Sequence, residues 1–147
     1  LAGVEQAYRQ LGVEAELSSF FGDVPARLVA THLVIARAGA STVAEALCVG
    51  RPAILIPYPY AIDDHQTLNA HAVDQVGAGW LIPESALDGP SLAGRIQSLF
   101  GMPTVLSKAA EAALRAGRPD ATERLADVID QLVAGGNGAG SGERKAA

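Results

Sequence analysis

The feature that most constrains this chain is an alternation, over residues 13–82, of short apolar runs with segments of helical period. Leu33-Val34-Ile35-Ala36 and Pro52-Ala53-Ile54-Leu55-Ile56 are continuous apolar runs of strand length, each followed by a turn of small or proline residues and then by a helix-like stretch. Strands covered by helices on both faces read in this way, and the repeat of strand and helix predicts a parallel sheet with right-handed crossovers. The expected fold class is α/β, a Rossmann-like parallel sheet with flanking helices.

In detail, apolar residues at 1, 4, 7, 8 and 11 predict a helix over Leu1 to Leu11 that stops at Gly12. Val13 to Ser18 alternates like a short strand. A turn at Phe20 to Pro25 opens a short helix to about Ala30, ahead of the Leu33 to Ala36 strand. Ser41 to Val49 reads as a helix closed by Gly50, Pro52 to Ile56 as a buried strand, Asp64 to Val76 as a helix, and Ala78 to Ile82 as a weaker strand. Helices follow over Leu92 to Phe100, Val105 to Ala116 and Ala121 to Val133. From Gly135 the composition falls to Gly, Ala, Asn and Ser with a few charges, too little apolar surface to offset ordering entropy. One domain over 1–134 and a disordered glycine-rich tail over 135–147 are expected. The chain opens at Leu1 inside a helical pattern, so further residues are expected upstream.

Composition narrows the function. Apolar residues make up 49% of the chain and aromatics 5%, so the core must be built from Ala, Val, Leu and Ile. The formal net charge of -5 argues against a nucleic-acid partner, which would call for clustered Lys and Arg. A single cysteine, Cys48, permits no intrachain disulfide; it fits a reducing cytosol and reads as a small core residue. No apolar run reaches the roughly 18 to 20 residues of a membrane span.

Ligands of open parallel sheets sit beyond the carboxyl ends of the strands, so the loops after Ala36 and Ile56 draw attention. In Arg37-Ala38-Gly39-Ala40-Ser41-Thr42-Val43-Ala44-Glu45 small residues lead into a helix whose first amides, near Ala40, Ser41 and Thr42, can meet a diphosphate. Glu45, one turn on, can accept hydrogen bonds from a ribose diol. Thr42-x-x-Glu45 equally fits a capping box that only closes the helix start. The second loop, Pro57-Tyr58-Pro59-Tyr60-Ala61-Ile62-Asp63-Asp64-His65-Gln66-Thr67-Leu68-Asn69, brings His65, Gln66 and Asn69 to a helix start, where neutral donors and acceptors suit sugar hydroxyls. Here the alternative is Asp63 or Asp64 as an N-cap with Gln66 closing the box. Adjacent helix-start residues diverge, which disfavours a metal site at Asp63, Asp64 and His65. His32 and His71 read as structural.

The ordered set Arg37 to Glu45, Gly50-Arg51-Pro52 to Pro57, Asp63-Asp64-His65-Gln66-x-x-Asn69-Ala70 and Gly77-Ala78-Gly79, with Asp120 to Arg124 near the end, resembles glycosyltransferase family 28 of the GT-B fold, in particular the MurG-type UDP-N-acetylglucosamine transferases of peptidoglycan synthesis. The resemblance is strong over about Phe20 to Ile82. It implies a partial C-terminal, donor-binding domain. It further implies that Glu45 holds the ribose diol, that Ala40, Ser41 and Thr42 face the diphosphate and sugar, that His65, Gln66 and Asn69 lie at the N-acetylglucosamine, and that backbone atoms at Phe21 read the uracil edge. The implied partners are UDP-N-acetylglucosamine, the lipid I acceptor, and a membrane surface on the cytoplasmic inner face, the last two engaged mainly through an N-terminal domain that would also carry the general base. No catalytic residue, cofactor or metal is expected within these residues. Alternatives left open are another UDP-sugar transferase of the same fold, a split donor-binding subunit recruited by a membrane partner, and a noncatalytic nucleotide-sugar binding module.

Overall fold

The computed structural model describes residues 1–137. Its centre is a parallel sheet of β1 (Val34–Ala36), β2 (Ala53–Leu55) and β3 (Gly79–Leu81), paired in sequence order with β2 in the middle. Val34 stands beside Ala53, and Ile54 beside Trp80. Before the sheet come α1 (Ala2–Gln10) and α2 (Val24–Ala30). The crossovers are α3 (Ala40–Cys48) and α4 (His65–Gln75), and α5 (Gly89–Phe100), α6 (Pro103–Ala116) and α7 (Ala121–Asn137) follow. The Rossmann-like α/β reading is thus the observed architecture. The expected tail falls mostly outside the described residues, and α7 continues past Val133 to Asn137.

Local chemistry sets the element ends. α3 and α4 stop where Gly50 and Gly77 take left-handed φ values of 65° and 73°. In each case the glycine N–H and the next amide turn back onto the last helical turn: Gly50 to Leu47 O and Arg51 to Ala46 O, Gly77 to Asp74 O and Ala78 to Val73 O. This pairing satisfies carbonyls that would otherwise be orphaned, and it suits glycine because no Cβ opposes the conformation. At the start of α5 the Asp88 carboxylate accepts the Ser91 amide at 2.7 Å, and that bond holds the Asp88 carboxyl below its ordinary value.

The core divides by the pleat of β2. Ala53 and Leu55 face a cluster with Ala38, Ala70, Val73, Ala78, Ala112 and Ala113, under α3, α4 and α6. Ile54 and Ile56 face the other way, toward Leu99, Trp80 and Ile96. The alanines let α3 and α4 lie close on the sheet, as the small-residue composition requires.

The expected strand over Val13–Ser18 is not formed. A strand persists only where a neighbour takes its amide and carbonyl groups, and among the described residues β1 pairs only with β2. The segment instead runs without regular structure toward α2, where Glu16 meets Arg27. The apolar stripe of α1 (Leu1, Val4, Leu11) stays exposed.

Backbone packing is tightest at Gly79, where an added Cβ would sit 2.3 Å from Ala53 O and 3.1 Å from Val73 Cγ1. Gly79→Ala should lower unfolding free energy by about 1–3 kcal/mol, because rigid backbone on β2 cannot yield. Denaturant melts of variant and parent check this; equal midpoints would mean that β2 and β3 are spaced more loosely.

Candidate functional site

The carboxyl ends of β1 and β2 meet at one edge of the molecule. β1 ends at Ala36, and Arg37, Ala38 and Gly39 lead directly into α3, with Gly39 at the N-cap. The first bond of the helix runs from Val43 N–H to Gly39 O at 3.0 Å. The amides of Ala40, Ser41 and Thr42 precede it and have no acceptor within α3, and no side chain caps them. Ala40 and Ser41 are exposed and Thr42 is half-buried, so this electropositive tip is open to solvent. Glu45 lies on the next turn and is exposed. Its carboxylate enters no hydrogen bond or ion pair among the described residues.

The capping-box alternative is therefore not what the structure forms. Thr42 is the third residue of α3 rather than its cap, because the helix starts one residue before the expected Ser41, and Glu45 lies six residues beyond the true N-cap, Gly39, too far along to return to its amide. On helical geometry Ser41 and Glu45 share a flank of α3, while Ala46 turns to the core.

The second loop is more strained than its sequence predicts. After Pro57-Tyr58-Pro59 the chain makes a tight 3-10 turn over Ile62–Asp64, and Asp63 and Asp64 both adopt left-handed φ values of 51° and 52°. Two successive non-glycine residues in that region cost energy that the surroundings must hold. Asp64 occupies the N-cap position of α4, yet its side chain caps no amide; it accepts the Thr67 hydroxyl at 2.6 Å. Gln66 does not close a box either. Its Oε1 accepts the Tyr58 amide at 3.0 Å and so pins the proline loop. His65 Nδ1 lies 2.7 Å from Ile62 O, and since a carbonyl only accepts, Nδ1 carries the hydrogen and Nε2 points elsewhere. Asn69 Nδ2 donates to Ala38 O at 3.0 Å, tying α4 to the turn before α3. The Asp63, Asp64 and His65 side chains form no metal-binding cluster among the described residues.

Arg37 joins three segments. Its guanidinium donates to Pro57 O at 3.1 Å and to Ile56 O at 3.4 Å, pairs with the Glu84 carboxylate beyond β3, and lies 5.6 Å from the centre of the Tyr58 ring. The expected site therefore assembles around a brace whose own role the sequence does not announce.

Phe21 is half-buried ahead of α2. The Arg27 guanidinium covers its ring, with 4.0 Å between Cζ and the ring centre. Arg27 also donates to both oxygens of Glu16, at 2.7 and 2.5 Å, and to Asp23 at 2.7 Å. The hydrogen bonds from Arg27 hold the carboxyls of Glu16 and Asp23 below their ordinary values, and the two carboxylates raise Arg27 in turn.

Comparison with known proteins decides the family. The glycosyltransferase family 28 C-terminal domain matches residues 2–132. The chain belongs to that family. A relative from Paramagnetospirillum magneticum (strain ATCC 700264 / AMB-1), named UDP-N-acetylglucosamine--N-acetylmuramyl-(pentapeptide) pyrophosphoryl-undecaprenol N-acetylglucosamine transferase, is 54% identical over 139 residues, covering 95% of this chain and 38% of the relative. One of the same name from Rhodospirillum rubrum is 53% identical over 129 residues, covering 88% of this chain and 33% of the relative. The chain thus spans about a third of the length of these relatives. A crystal structure of Acinetobacter baumannii MurG superposes with a TM-score of 0.72 at 29% identity, over 81% of this chain and 36% of that one. The fold is accordingly the Rossmann-like α/β fold of a C-terminal domain of the GT-B architecture.

Within this family 28 domain the structure brings together most of the residues singled out from sequence. Ala40, Ser41, Thr42 and Glu45 line the α3 tip, and Gln66 and Asn69 lie on α4, tied to the adjoining loops. His65 is at the exposed corner between them. Two features escaped the sequence reading, the Arg37 brace and the Arg27 triad. The available signal was that each is a lone cation between apolar or acidic neighbours.

Replacing Arg37 by Lys keeps the charge but not the planar guanidinium that lies beside Tyr58 while its Nη1 reaches two carbonyls and a carboxylate, so unfolding free energy should fall by about 1 kcal/mol. Denaturant melts of parent and R37K check it; equal midpoints would show that the loops hold their places unaided. The carboxylate shifts give a second expectation. Because Glu16 and Asp23 titrate below their ordinary values, the brace is complete above the ordinary carboxylate range and is lost only as pH falls through the lowered folded values. Phe21 aromatic resonances should stay constant through that range and move below it, whereas movement in step with a free carboxylate would show that the triad does not hold the loop.

Proposed function

We propose that this chain is the donor-binding part of an inverting transferase that moves N-acetylglucosamine from UDP-N-acetylglucosamine to lipid I, forming lipid II in peptidoglycan synthesis. The observation that carries the reading is the pairing of an open, uncapped helix tip at Ala40 to Thr42 with an unpartnered carboxylate at Glu45 one turn behind it. A uridine diphosphate needs both. Its phosphates gain from free amides and the positive end of the helix dipole, and its ribose diol gains from a carboxylate that accepts two hydrogen bonds. The names of the relatives supply the sugar and the acceptor.

The chemistry follows from where charge develops. The 4-hydroxyl of the lipid-linked muramyl residue attacks the anomeric carbon of the donor, the new C–O bond forms as the bond to the diphosphate oxygen breaks, and UDP leaves with the electron pair. The hydroxyl proton passes to a base in the amino-terminal portion that the longer relatives possess. As negative charge grows on the departing diphosphate, the preorganised amides of Ala40, Ser41 and Thr42 meet it without reorganisation. The N-acetylglucosamine lies toward α4. There the Oδ1 of Asn69 and the Nε2 of His65 are not used by the internal bonds described above, and the Gln66 amide nitrogen is directed away from Tyr58. The Phe21 backbone borders the uracil, steadied by Arg27. No described helix is long and apolar enough to cross a membrane. Attachment to the inner face of the membrane, where lipid I lies, is assigned in this reading mainly to the amino-terminal portion that the longer relatives possess.

Glu45→Ala should weaken UDP-N-acetylglucosamine binding by about 10- to 100-fold, the loss of one or two hydrogen bonds to a charged group. Glu45→Gln should fall between, since the amide keeps the shape and one acceptor. Calorimetry with UDP and UDP-N-acetylglucosamine checks this. Equal affinity in parent and Glu45→Ala would overturn the ribose assignment, and binding without transfer in the full-length enzyme would favour a noncatalytic module.

A further inference from the structure

A second cleft, of about 600 Å³, lies on the opposite flank of α4 from Asn69, at the carboxyl ends of β2 and β3. Asn69 lines the α3 side of the helix, whereas Thr67 and His71, one turn apart, line this one. The remaining walls are the proline loop with Tyr60 and the Pro83–Ser85 turn. The donor reading uses none of it.

The proline loop is built to expose apolar surface without yielding. Pro57 and Pro59 restrict it, Gln66 and Arg37 bond to its backbone, the Ala61 amide closes onto Tyr58 O at 3.1 Å, and the left-handed Asp63 and Asp64 end it. On this frame Tyr60 and Ile62 are 81% and 80% exposed, and the Tyr60 ring meets Tyr58 edge-on at 5.7 Å. A clustered apolar patch held rigid beside a cleft marks a binding surface more than a chance exposure.

We infer that this cleft is an acceptor subsite that receives the peptide branch of the lipid-linked muramyl acceptor, with Tyr60 as its principal contact. The inference rests on the proposed function, in which the acceptor, like that in the relatives' names, bears a pentapeptide. The parts of such an acceptor are distinguishable by chemistry. Its sugar must reach the anomeric carbon on the α3 side of α4. Its pyrophosphate would be repelled by the exposed carboxylates of Asp63 and Asp64, which end this loop and pair with no cation among the described residues. The same carboxylates disfavour an anionic bilayer surface. A peptide meets what remains: aromatic and proline faces for aliphatic side chains, and the His71 imidazole and Ser85 hydroxyl for amide groups.

The test is steady-state kinetics of the full-length enzyme with Tyr60→Ala and Tyr60→Phe, using a lipid I analogue with its peptide and one lacking it, alongside calorimetry with UDP-N-acetylglucosamine. Tyr60→Ala should raise KM for the peptide-bearing acceptor by about tenfold, the scale of one lost aromatic anchor. It should leave KM for the peptide-free acceptor and the donor affinity unchanged, and Tyr60→Phe should retain most of the effect of the parent ring. An unchanged KM with the peptide-bearing acceptor, or an equal rise with both acceptors, would overturn the inference while leaving the proposed function standing. Failure of the unaltered enzyme to transfer to either acceptor would overturn both.

Discussion

The arrangement of this edge depends on one buried carbonyl. Ala38 is fully buried between β1 and α3, and its carbonyl points not into a sheet ladder but toward α4, where the Asn69 amide meets it at 3.0 Å. Left unpaired, such a group would cost about 1–3 kcal/mol, so the bond fixes α4 against the turn that presents the α3 tip. Arg37, the preceding residue, reaches the same way and binds the backbone after β2 and the carboxylate after β3. Successive residues leaving β1 thus bind every loop at the carboxyl edge of the sheet, and the distance between the helix tip and α4 becomes a property of the core.

This coupling explains the composition of the core. α3 and α4 lie on a layer of alanines, and Gly79 admits no larger side chain beside β2. Close helix packing keeps the α3 tip directly over the strand ends, where amides project outward, and puts α4 within reach of Ala38. A bulkier layer would lift both helices and lengthen those bonds. The strain of Asp63 and Asp64 belongs to the same design. It turns the chain sharply enough to start α4 at His65, which brings Gln66 under Tyr58 and Asn69 under the β1 turn.

Much of this was readable from sequence because it follows from local rules. The apolar runs at 33–36 and 52–56 marked β1 and β2, and Gly50 marked the end of α3. The loops after those strands draw attention by topology alone, and the structure brings them together through Arg37 and Asn69. What the sequence could not show are relations between distant residues. Thr42-x-x-Glu45 matches a capping box as well as a nucleotide grip, and the helix start at Ala40 removes only the capping box. Gln66 and Asn69 looked like side chains free for a sugar, yet each spends one group on a backbone partner 8 or 31 residues away. Val13–Ser18 has a strand pattern but no strand beside it among the described residues. Pattern reports what a segment can do, and pairing decides what it does.

The central claim is that the free amides at the start of α3 receive a nucleotide diphosphate. Amide-resolved NMR during a titration with UDP tests it most directly. The account predicts that the largest shifts fall on the Ala40, Ser41 and Thr42 amides, with a second group near Phe21 and Glu45. Saturable binding that leaves those three amides unmoved and perturbs another surface would contradict it.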